Sequence, residues 1–80
     1  MERKIVVEKL TGIFRRVFNS ASLELRDDMT ANDIENWDSL THMILIAEIE
    51  TAFKVKFKLK ELNKMRNVGE MSDLLLQKIL

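Results

Sequence analysis

The chain has 80 residues, a formal net charge of zero, no cysteine and no proline. That length bounds it to one domain, near the size at which a hydrophobic core alone supplies only about 3–5 kcal/mol, so a binding or carrier module is easier to build than an enzyme with a deep pocket. The missing cysteines exclude a disulfide framework and zinc-finger spacing, and fit a reducing compartment.

Met1-Glu2-Arg3-Lys4 lead straight into a helical stripe formed by Val6, Leu10, Ile13, Phe14 and Val17. The stripe predicts a first helix over residues 3–19. Asn19-Ser20-Ala21-Ser22 then offer side chains that compete with the helix for backbone hydrogen bonds. A long polar connection follows over about residues 20–38, carrying Leu23, Leu25, Met29, Ile34 and Trp37. Those apolar residues predict that it is tacked down across the molecule, as long loops in small domains tend to be. A second helix is expected from Ser39 to about Phe53, with Asp38 or Ser39 as N-cap. Leu45, Ile46, Ile49 and Phe53 supply its core stripe, while Met43, Ile44 and Ala47 widen the apolar surface beyond one face. A helix apolar over more than half its circumference is either buried or binds something.

Val55, Phe57 and Leu59 alternate with Lys54, Lys56, Lys58 and Lys60. Strict alternation is a strand signal, but nothing else in the chain offers a pairing partner. An extended connection that drops Val55 and Phe57 into the core is the better reading, with a short helix around Leu59–Met65. Asn67 followed three residues later by Glu70 resembles a capping box at the start of a last helix. Met71, Leu74, Leu75, Leu76, Ile79 and Leu80 give that helix its apolar face. The expectation is an all-α, monomeric four-helix bundle of three main helices and one short one, with a long first loop, as a single domain over residues 1–80. No apolar stretch of signal-peptide type opens the sequence, and the longest strictly apolar run is Met43 to Ala47. A cytoplasmic protein without a membrane segment is expected.

The charges are segregated. Asp27 to Glu50 holds seven acidic residues and no Lys or Arg, whereas Lys54 to Arg66 holds six basic residues against Glu61 alone. The plain reading is two solvated faces of opposite sign; the sharper one is an acidic half that steers a basic partner.

Ser39 is the residue most suited to chemistry. It stands at the predicted start of helix two, beside Asp38, where an ester phosphate on its hydroxyl would lie near the free amide hydrogens of the first turn. The same placement also describes a helix cap and nothing more. The run Trp37-Asp38-Ser39-Leu40, with the apolar helix behind it, resembles the Asp-Ser-Leu attachment site of acyl carrier proteins. Ile34 to His42, Glu48-Ile49-Glu50 with Phe53, and Asn67-Val68-Gly69-Glu70-Met71 are similar to the same family in register. The resemblance implies 4'-phosphopantetheine on Ser39, with Asp38 helping a phosphopantetheinyl transferase place the cofactor and its metal ion. It also implies thioester cargo, acyl or aminoacyl, presented in turn to an acyl ligase or acyltransferase and to downstream synthase enzymes. Leu40, Met43, Ile44 and Ala47 would line the partner surface, with Glu48 and Glu50 at its rim. Fatty-acid carriers usually have acids two and five positions after the serine and a glycine after the helix-two phenylalanine. Thr41, Ile44 and Lys54 stand there instead. These departures imply a dedicated pathway, such as secondary-metabolite biosynthesis, rather than housekeeping fatty-acid synthesis.

Other chemistry is poorly supported. Ser39, His42 and Asp38 lie on one helical turn and do not converge as a hydrolase triad does, so His42 is expected to face solvent or a partner. Asp27 to Glu35 lack the glycine of a calcium loop, and no resident metal is expected. Zero net charge argues against nucleic acid as a partner. Core burial explains the apolar last helix without a membrane. The alternative to a carrier is a non-covalent helical interaction module in which Ser39 only caps the helix.

Overall fold

A computed structural model describes residues 2–62 and 65–79. The chain runs through α1 (Arg3–Val17), α2 (Ser39–Phe53), α3 (Leu59–Leu62) and α4 (Val68–Ile79). Among the described residues there is no strand. α1 is the central element and packs against both α2 and α4. Val6, Leu10, Ile13 and Phe14 of α1 meet Leu45, Ile46, Ile49 and Phe53 of α2, and Val68, Met71 and Leu75 of α4, in one buried core. No described helix is long and apolar enough to cross a membrane.

Two helices end by the same device. Asn19 and Lys54 take left-handed backbone conformations, with φ of 51° and 57°. The amide after each reaches back five residues, Ser20 to the Arg15 carbonyl at 3.0 Å and Val55 to the Glu50 carbonyl at 3.1 Å. This closure satisfies carbonyls that the helix leaves open. It stops α1 at Val17, two residues before the predicted end. At Lys54 the position suits glycine, and a lysine there costs about 1–2 kcal/mol.

The long loop is fastened at several points. Arg15 Nε donates to the Leu23 carbonyl at 2.7 Å. Val68 N–H donates to the Met29 carbonyl at 3.0 Å and Gly69 N–H to the Asp27 carbonyl at 2.8 Å. These are the first two amides of α4, which have no partner within their own helix. Asn67 Oδ1 takes the third, from Glu70 N–H at 2.8 Å. The expected capping box is therefore only half formed, because the Glu70 carboxylate accepts from Arg66 N–H at 3.2 Å rather than from Asn67. Arg3 joins the same corner, pairing with Asp73 and lying 3.5 Å from Asp27. Met29, Ile34 and Trp37 are buried, so the loop is part of the core.

Residues 55–58 form a connection without regular secondary structure, with Val55 and Phe57 half-buried against the core. Leu59 departs from the alternation and is 79% exposed. The short helix expected around Leu59–Met65 is described over Leu59–Leu62, and Met65 is not helical; Asn63, Lys64 and Leu80 lie outside the described residues.

Candidate functional site

The start of α2 is positioned from behind by Trp37. Its ring meets Phe14 edge-on at 5.4 Å between centroids and lies 5.9 Å from Phe18. Such pairs contribute about 0.5–1.5 kcal/mol beyond their burial. On the α2 side Trp37 stacks on His42, 20° from parallel, and its Nε1–H donates to His42 Nδ1 at 3.1 Å. The residue before the cap is thus fixed to α1 and α2 together.

Asp38 is the N-cap, not Ser39. Its Oδ1 accepts from Thr41 N–H at 2.9 Å, and its own N–H donates to Thr41 Oγ1 at 2.7 Å. The reciprocal pair is a capping box. It gives Thr41 a physical role at a position where the resemblance leads one to expect an acid. The bond from Thr41 N–H holds the Asp38 carboxyl below the usual carboxylate range, so it is ionised at neutral pH. With capping assigned to Asp38, the Ser39 side chain stands exposed, and among the described residues its hydroxyl has no partner.

Ser39 borders an open groove of about 360 Å³. Asp38, Ser39 and His42 line it from α2, Ala31 and Trp37 from the loop, and Met65 and Arg66 from the segment before α4. His42, expected to face solvent or a partner, lies on the wall of this groove. It stands three and four residues before Leu45 and Ile46, in register with the buried stripe, and is half-buried. Burial pushes its pKa down. That spacing was a readable signal for its placement; nothing in the sequence signals Arg66, which reaches the groove only through the fold.

Leu40, Met43, Ile44 and Ala47 share the face of α2 opposite its core stripe. All four are exposed, Leu40 at 73%, Met43 at 56% and Ile44 at 48%. The flanking carboxylates are already engaged. Glu48 pairs with Arg16 at 2.7 Å, and Glu50 Oε2 accepts from Phe57 N–H at 2.8 Å. Asp27 and Asp28 likewise have arginine neighbours, Arg3 and Arg26. Much of the acidic run serves the fold itself.

A family model described as the phosphopantetheine attachment site matches residues 8–75, most of the chain. The solution NMR structure of a holo acyl carrier protein from Geobacter metallireducens is 47% identical, with a TM-score of 0.88, over 92% of this chain and 85% of that one. The chain belongs to the acyl carrier protein family. None of the curated proteins compared matches it. The carrier holds acyl groups on covalently attached 4'-phosphopantetheine and is not itself an enzyme. The expected helical bundle agrees with this family's fold. The alternative of a non-covalent module, with Ser39 as its cap, fails on both counts: the family is a carrier family, and the cap is Asp38.

Proposed function

We propose that Ser39 carries the phosphopantetheine arm and that Asp38 is the residue a phosphopantetheinyl transferase reads beside it. The observation that carries this reading is the division of labour at the start of α2. Asp38 caps the helix, which leaves the Ser39 hydroxyl exposed at the edge of an open groove. A bulky substituent there meets solvent rather than core. When bound, the arm supplies the thiol that this cysteine-free chain lacks, and that thiol holds the cargo as a thioester.

The surface of Leu40, Met43, Ile44 and Ala47, flanked by Glu48 and Glu50, is the proposed docking face for an acyl ligase or acyltransferase and for downstream synthases. Apolar anchors usually dominate such contacts, while rim charges mainly set on-rates. Ile44 is exposed on that face, in line with a dedicated pathway whose enzymes seek an apolar rather than an acidic helix. A monomer in the cytoplasm, handed between enzymes, completes the proposal.

Intact mass after incubation with coenzyme A, magnesium and a broad-specificity transferase tests the attachment point. The wild type should gain the arm, and Ser39→Ala should gain nothing. Ser39→Ala should also stay within about 0.5 kcal/mol of wild-type stability. Asp38→Ala should lose about 0.5–2 kcal/mol with the cap. Modification of Ser39→Ala at another hydroxyl refutes the assignment.

A further inference from the structure

We infer that Arg66 and His42 seat the phosphate end of the arm in the groove beside Ser39, Arg66 as counter-charge to the phosphodiester and His42 as a neutral hydrogen-bond donor. This rests on the reading of Ser39 as the attachment point.

The argument starts from charge. A phosphodiester on Ser39 adds one negative charge next to Asp38, which is already ionised. Among the described residues that line the groove, Arg66 is the sole cation. Its guanidinium is committed elsewhere only weakly. Nε and Nη2 each lie 3.3 Å from a Glu70 carboxylate oxygen, and the Arg66 side chain is 81% exposed. Exposed pairs four residues apart contribute little to stability. An arginine and a phosphate form shorter, often bidentate bonds that are considerably stronger. Glu70 stays in place if the guanidinium turns away, because its Oε1 also accepts from Arg66 N–H at 3.2 Å.

The second donor follows from a tautomer. Trp37 Nε1 carries a hydrogen and donates it to His42 Nδ1. The neutral ring must then hold its own hydrogen on Nε2. A proton added to Nδ1 would face the Trp37 N–H, so the contact itself favours the neutral ring. His42 therefore brings a donor to the groove without adding charge. Two donors of different strength beside an esterified serine suit the oxyanion of the phosphodiester. Holding the first part of the arm on the groove side leaves the Leu40–Ala47 face clear for a docking enzyme.

The test uses the loaded carrier. Wild type, Arg66→Gln, His42→Phe and Lys56→Gln are each converted with coenzyme A and a transferase and checked by intact mass. Lys56 is exposed and does not line the groove, so its variant controls for net charge. The phosphorus NMR signal of the arm and the emission of Trp37, the sole tryptophan, are then recorded. Arg66→Gln should shift and sharpen the phosphorus signal as the phosphate gains motion. His42→Phe should move it less, and Lys56→Gln should leave it in place. Loading should change Trp37 emission in the wild type and less in Arg66→Gln. A loaded wild type whose phosphorus signal and Trp37 emission match those of Arg66→Gln overturns this inference alone. A wild type that gains no mass overturns the Ser39 assignment and this inference with it.

Discussion

Replacing Gly69 by alanine should destabilise the carrier, although helix propensity by itself favours the change by about 0.8–1 kcal/mol. Gly69 is the second residue of α4, is buried, and donates to the Asp27 carbonyl at 2.8 Å. A Cβ built there lies 3.0 Å from that carbonyl oxygen, 3.1 Å from Asp27 Cβ and 3.4 Å from Asn67 Oδ1. The nearest atom belongs to backbone, so no side chain can swing away to make room. Overpacking of this kind costs about 1–3 kcal/mol, and weakening the Gly69–Asp27 hydrogen bond costs about 0.5–1.5 kcal/mol more. Sterics outweigh propensity, leaving a net loss of about 0.5–4 kcal/mol. For a domain of this size each kcal/mol lowers the melting temperature by about 4–8 °C. The internal control is Gly12→Ala in α1, where a Cβ meets nothing within 4 Å. That variant should gain about 0.8–1 kcal/mol. Thermal unfolding of both, followed by far-ultraviolet circular dichroism, gives opposite signs if the reasoning holds. A Gly69→Ala protein as stable as wild type would show that the loop does not need its close approach to α4.

Ile44→Glu should leave stability within about 0.5 kcal/mol, since Ile44 is 48% exposed, but reduce kcat/KM for loading by the cognate acyl ligase about tenfold; an unfolded variant, or unchanged loading per folded molecule, refutes the docking face. Burial holds His42 below its ordinary pKa, so the unfolded chain binds more protons as pH falls through about 6.5. Stability should be full above that pH and decline below it until the folded pKa is also passed. His42→Gln should flatten the decline in denaturant midpoints between about pH 7 and pH 5, whereas Asp38 and Glu61, both lowered, act at lower pH. Ser72 is fully buried and its Oγ has no partner among the described residues. Ser72→Ala should therefore raise stability by about 1 kcal/mol, read as a higher urea midpoint; a loss would mean that a water or another acceptor satisfies the hydroxyl.

The sequence alone determined the helices and their inward faces. The stripes of α1 and α2 repeat at helical spacing, and burial of such a stripe follows whatever partner it meets. Trp37-Asp38-Ser39-Leu40 was legible for a similar reason: capping and exposure at a helix start are local properties, fixed by neighbours in the chain. Tertiary structure decided what depends on residues distant in sequence. The amides of Val68 and Gly69 close on Met29 and Asp27, some forty residues away, and no periodicity encodes that pairing. Glu48 and Glu50 were placed at the rim of the partner surface by the sequence, but only the fold pairs them with Arg16 and the Phe57 amide. His42 read as a surface residue because its acceptor role requires Trp37 to fold back over it. Arg66 reaches the groove of Ser39 only because the loop and α4 are joined there; a side chain's neighbours across the fold are set by packing, which the linear pattern leaves open.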